Sequence, residues 1–148
     1  MQRRYLNELS VTEEVAFIEH NFAPPSLRRD VAILGLIHKR VLGLPHPAYE
    51  EMLPFFGPEW YTPPCMPKHS KQLDNKRSQC IFRHAMYNRS IFGMVDVYNR
   101  LSQRLVDCDN LKLFQRELTA IAKKQCERGD RAWKVVFNTD FYRPDLLQ

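Results

Sequence analysis

The clearest signal along the chain is the return of apolar residues at three- and four-residue spacings, which keeps them on one side of a helix. Leu111, Phe114, Leu118, Ile121, Ala122 and Cys126 form one such stripe. Asp109 stands ahead of it in N-cap position and Gly129 follows as a stop. Leu27, Val31, Leu34, Ile37, Val41 and Leu42 form a broader stripe. Ser26 is placed to cap it behind the Pro24-Pro25 break, and Gly43-Leu44-Pro45 ends it. A shorter helix is predicted over about residues 11 to 21, where Ser10-Val11-Thr12-Glu13 has the form of a capping box and Val15, Ile18 and Phe22 share a face. The stretch from Pro47 to Phe56 reads as a further short helix or turn ending near Pro54. Ile91, Met94, Val95, Tyr98, Leu101 and Leu105 again keep helical spacing, after a helical turn at Ile81, Ala85 and Met86. Trp133 to Phe137 is apolar but too short to classify, and a strand is an open reading there.

Between the two sets of stripes the pattern fades. Residues 57–77 hold Gly57, Pro58, Pro63, Pro64 and Pro67 with few periodic apolar positions, so they read as an extended, partly mobile connection. The expected fold class is therefore mainly α, a small bundle of about five helices with a long proline-rich connection in its middle. An N-terminal helical part over residues 1–56 and a C-terminal helical part over residues 78–148 should share one core. A chain of 148 residues supports this, since a compact fold of that size hides roughly 70% of its unfolded surface.

Composition narrows the classes. The longest uninterrupted apolar run, Val31 to Ile37, falls far short of the roughly 20 residues that cross a bilayer, so no membrane partner is expected. Glu8, Glu13 and Glu14 interrupt any signal-peptide-like run after the charged first residues, which points to an intracellular home, nucleus or cytoplasm. Cys65, Cys80, Cys108 and Cys126 are widely spread, and in such a compartment their default state is the free thiol.

The net charge of +5 is concentrated. Lys68, Lys71, Lys76, Arg77, Arg83 and Arg89 face a single acidic residue, Asp74, between positions 68 and 89. With six of the 22 basic and one of the 17 acidic side chains in that interval, sixteen of each sign remain elsewhere. A polyanion should meet this interval first, and Phe82 and Tyr87 within it could stack on an unpaired base. These six cations are the candidate nucleic-acid contacts. The opposing reading is a solvated positive loop that serves solubility alone.

Catalytic signatures are absent from the sequence. Neither GxxxxGK[ST] nor GxGxxG occurs, no glycine-framed serine elbow is present, and no adjacent aspartate pair offers the carboxylates that hold two metal ions in a polymerase. Glu13-Glu14 and Glu50-Glu51 are read as helix-start acids rather than acid/base pairs. His38, on the stripe with Leu34 and Val41, is read as a structural histidine with its hydrogen bonds satisfied. No cofactor is expected. The competing metal reading is Cys65, His69, Cys80 and His84, two C-x3-H pairs that would complete a tetrahedral zinc site and staple the connection to the helix after it. Against it, finger spacing ordinarily pairs Cys with Cys and His with His.

Read in order, Gln2-Arg3-Arg4, then Leu27-Arg28-Arg29-Asp30 leading into Leu36-Ile37-His38-Lys39, then Arg89-Ser90-Ile91-Phe92 form a series. This series resembles the segment downstream of the polymerase core in LINE-type (non-LTR) retrotransposon reverse transcriptases. Tyr98-Asn99-Arg100-Leu101 is similar to the stretch where that family carries Trp-Asn-x-Leu-Pro, with Tyr98 in place of Trp and Ser102 in place of Pro. Leu111 to Leu118 looks like the Ser-Leu-x-x-Phe-Lys-type helix that follows, so the resemblance spans about residues 2 to 122. It implies a thumb-like helical accessory domain without catalytic residues, whose partners are RNA or DNA backbone and the remainder of a retroelement polyprotein. The alternatives are a retroelement-derived protein-interaction module, docking through the stripe of the Ser26 or the Asp109 helix, and the zinc-stapled helical module.

Overall fold

A computed structural model describes residues 2–44, 47–55, 69–74, 87 and 90–137. Among these, 66% are helical, about twice the usual share in globular proteins, and no strand forms. The fold is a small helical bundle, as the apolar spacing predicts. Seven α-helices lie in the described residues: α1 (Gln2–Glu8), α2 (Glu13–His20), α3 (Pro25–Val41), α4 (Pro47–Met52), α5 (Ile91–Tyr98), α6 (Gln103–Val106) and α7 (Leu111–Glu127). A 3-10 turn at Trp133–Val135 follows, where a strand had been an open reading.

The two long helices form where the stripes predict them, but their starts differ. Pro25 occupies the first turn of α3, where its missing N–H costs nothing and its φ is already helical. Ser26 therefore lies inside the helix instead of capping it, and its hydroxyl reaches the Lys134 carbonyl at 3.5 Å. Asn110, not Asp109, caps α7, because its side-chain oxygen accepts from the backbone N–H groups of Lys112 and Leu113. Thr12 plays that part for α2, while Ser10, expected to open a capping box, takes a left-handed conformation at φ 55°. The glycine stops hold. Gly43 and Gly129 have φ of 72° and 73°, the left-handed geometry that ends a helix without steric cost.

The third predicted stripe breaks in two. Ile91 to Tyr98 is helical, residues 99–102 turn, and α6 restarts after Ser102. Leu101 and Leu105 keep their helical spacing across the break, and both are buried.

The core is a single cluster that joins both halves of the sequence. Helix α3 packs on α5 and α7, and α7 on α2 and the terminal turn. The apolar stripes of α3 and α7 thus face the chain's own interior, with Leu34, Ile37, Phe114 and Leu118 fully enclosed. Helices α3 and α7 run antiparallel and meet closely at Gly35, where an added Cβ would fall 2.3 Å from the Gln115 side-chain nitrogen. At the far end, Trp133 stacks on Phe17 with ring centres 5.0 Å apart. Lys134 pairs there with Glu13, and its ammonium lies 3.7 Å from Glu14. Cys108 and Cys126 are free thiols, and burial, with the Glu14 charge next in weight, pushes the Cys126 thiol pKa up. No described helix is long and apolar enough to cross a membrane.

Candidate nucleic-acid interface

Of the basic interval, the structure describes residues 69–74 and 87. Lys68, Lys76, Arg77, Arg83 and Arg89 lie outside the described residues, as do Phe82 and three of the four zinc candidates, Cys65, Cys80 and His84. Residues 69–74 are not a loose tether. Leu73 is fully buried, its N–H donates to the Asn99 side-chain oxygen at 2.9 Å, and its carbonyl accepts from the Asn99 amide nitrogen at 2.8 Å. The Gln72 side chain donates to the Asn99 carbonyl, and the Ser70 N–H to the Gln103 side chain. A single antiparallel bridge joins Phe55 to Leu73, and the Asp74 N–H donates to the Pro54 carbonyl. Such pairs let one Asn side chain stand in for a neighbouring strand.

His69 is the buried polar residue of this anchor, at 3% exposure. A carbonyl only accepts, so the Nε2–H of His69 donates to the Tyr98 carbonyl at 3.0 Å. Its Nδ1 is left to accept the Lys71 N–H at 3.2 Å. Both ring nitrogens are thereby engaged, and no group of three or more metal-ligating side chains gathers among the described residues. Lys71 is half-buried, its ammonium donating to the Val106 carbonyl at 3.2 Å and lying 3.9 Å from an Asp107 oxygen.

The anchor continues inward to the centre of the core. His38 is wholly buried, its Nε2–H donating to the Cys108 carbonyl at 2.6 Å. Its Nδ1 accepts from the Tyr98 hydroxyl at 2.9 Å, and its ring stacks on Phe114 with centres 3.9 Å apart. This is the satisfied structural histidine that the stripe predicts. Tyr98 is the hub: its hydroxyl meets one histidine, its carbonyl the other, and the His69 ring stands edge-on to its own. Burial lowers the pKa of both histidines against the smaller opposing pull of their backbone carbonyls, with Lys71 lowering them further and Asp109 and Asp107 opposing. It also raises that of Tyr98. The network is thus neutral and closed to solvent, which suits it to positioning and not to proton transfer with a substrate.

Sequence reasoning singled out His38, Lys71 and His69, and named Asn99 within the Tyr98–Leu101 stretch, but missed its role, which is to hold Leu73 across 26 residues of sequence. The available signal was a polar residue at the end of the Ile91–Tyr98 apolar run. Compared with protein-family models, with curated proteins and with solved structures, the chain matches none.

Proposed function

We propose that the chain is a non-catalytic helical accessory domain, related to the segment that follows the polymerase core in LINE-type retrotransposon reverse transcriptases. On this reading it contacts RNA or DNA backbone through the interval from Lys68 to Arg89. The observation that carries the reading is the local charge: six cations against Asp74 within an otherwise balanced chain. The anchor is compatible with it. Residues 69–74, near one end of the interval, are held on the C-terminal end of α5. Ser90, just past its other end, caps the N-terminal end of the same helix. Cations carried between two fixed points lose less conformational freedom on binding than cations on a free tail.

The reading predicts sequence-indifferent binding that weakens as salt rises, with a slope of log affinity against log salt of about −0.7 per phosphate neutralised on a single strand. Fluorescence anisotropy with labelled RNA and DNA oligonucleotides measures it. Reversing Lys76→Glu together with Arg77→Glu should shrink the slope by about 1.4. An affinity that is unmeasurable at low salt, or that ignores salt, removes the proposal.

A further inference from the structure

Charge balance along the sequence hides an imbalance in space. On α7, Lys112, Arg116, Thr119 and Lys123 fall within about 60° of one another around the helix, and on α3 so do Arg28, Ala32, Gly35 and Lys39. The stripes flank the α3–α7 crossing and approach each other at Arg28, Ala32 and Gly35 on one side and Thr119, with Gln115 beside it, on the other, while Lys123 reaches the Ile18 carbonyl of α2. Gly35 touches Gln115, and Arg28 and Ala32 line the same cleft as Gln115 and Thr119. Because the helices are antiparallel, Arg28 lies towards Thr119, whereas Lys39 lies towards Lys112, where His38 of α3 stacks on Phe114 of α7.

Arg28, Lys39, Lys112 and Arg116 are all exposed, and none forms an ion pair with a described residue. Several of the carboxylates that balance the count are engaged away from these cations. Glu13 and Glu14 face Lys134, Glu117 faces Arg104 and Asp107 faces Lys71, while Asp30 is buried beside Arg29. Asp109, exposed two residues ahead of α7, tempers the Lys112 end.

We infer that the α3–α7 cleft is a second contact surface, for single-stranded nucleic acid, with phosphates on the Arg28–Lys39 and Lys112–Arg116 rims and a base at the cleft. Two features favour this ligand over an acidic peptide or a flat anionic surface. The cleft floor is a hollow of about 230 Å³ with an apolar wall from Leu27, Val31 and Ala32, beside the hydrogen-bonding groups of Gln115 and Thr119. That is less than the roughly 300–1,000 Å³ of a drug-sized pocket, which leaves room for one ring with polar edges. The Arg28 guanidinium already lies 5.7 Å from the centre of the Phe22 ring, so its outer plane is offered for stacking as its N–H groups reach for phosphate. Each helix contributes 17 residues, giving a track about 25 Å long at the helical rise, long enough for several nucleotides.

The inference shares with the proposed function the premise that the ligand is nucleic acid, but it rests on different residues. The test uses the full chain, a labelled twelve-nucleotide oligo-dT and anisotropy at several salt concentrations. Replacing Arg28→Gln, Lys112→Gln and Arg116→Gln together should weaken binding about tenfold at low salt and reduce the salt slope by about 2. The same charge removed from exposed cations off the cleft, by Lys124→Gln, Arg128→Gln and Arg131→Gln, should change affinity less than about twofold. Chemical-shift mapping on the unaltered chain should find the largest oligo-dT-induced changes at Ala32, Gly35 and Thr119, independently of any variant. A cleft variant that binds within twofold of the unaltered chain, a control variant that loses as much, or shifts confined elsewhere would each overturn the inference. So would polyglutamate competing as well as oligo-dT at equal charge. If only the Lys76→Glu/Arg77→Glu chain loses binding, the cleft falls and the proposed function stands. If only the cleft variant does, the reverse holds, and an unaltered chain that does not bind removes both.

Discussion

The α3–α7 pair and the strap at residues 69–74 both reach the core, yet they are held by different physics. The helix pair is joined by apolar burial: Leu34, Ile37, Phe114 and Leu118 are fully enclosed, and Gly35 leaves room for the Gln115 side chain. The strap contributes one buried apolar side chain, Leu73, and one buried imidazole. Side chains of Asn99, Gln103 and Gln72 provide most of its remaining attachment through hydrogen bonds to backbone. Packing of the first kind is worth several kcal/mol per large side chain, whereas a hydrogen bond contributes about 0.5–1.5 kcal/mol net. The strap should therefore open locally while the helix pair stays closed.

The largest effect should come from the packed pair. Phe114→Ala removes a fully buried ring that also faces His38 and should cost about 3–5 kcal/mol. It would be read as a lower urea midpoint for the whole chain; an unchanged midpoint would mean that the ring contributes no packing. Acid should act next, on both regions at once, because His38 belongs to the pair and His69 to the strap. Burial lowers both folded-state pKa values, so the unfolded chain binds more protons. Stability is then complete above the ordinary histidine value of about 6.5 and falls with pH below it, by at most about 1.4 kcal/mol per unit for each histidine. Urea midpoints measured between pH 7.5 and 5.0 should show this slope, and His69→Gln should reduce it; equal midpoints across that range would contradict it. The smallest global effect, about 1–3 kcal/mol from two lost hydrogen bonds, should follow Asn99→Ala. Its signature is local: amide exchange at Leu73 should accelerate far more than at Leu118, and equal acceleration would merge the two regions into one cooperative unit.

The same contrast explains what could be read from the sequence. Helices held by burial leave a periodic record, which is why the stripes of α3 and α7 and their glycine stops were legible. Their first residues were less so, since Asp109 and Asn110 both have the chemistry of a cap and only the reach of the side chain to the N–H groups of Lys112 and Leu113 decides between them. The break after Tyr98 left no trace in the spacing, because Leu101 and Leu105 stay buried on either path. The strap was read as an extended connection because the side chains and carbonyls that hold it from α5 and α6 lie 26 to 35 residues away in sequence and hydrogen-bonding side chains carry no period. Of the candidate cations, Lys71 is the one whose surroundings are described, and the α3–α7 cleft escaped sequence arithmetic because it counts charges without regard to where they point.

The closure between the start of α2 and the 3-10 turn sets the order in which the molecule can be made. The Glu13–Lys134 pair, the Ser26–Lys134 hydrogen bond and the Phe17–Trp133 stack each join residues more than 100 positions apart. Loops of that length are the slowest to shut, and a nascent chain cannot shut them until the ribosome has released residue 134. The face of α2 that Trp133 covers, at Phe17, must therefore stay open until the 3-10 turn has been made, and a ribosome stalled before Trp133 would carry a chain inviting to chaperones.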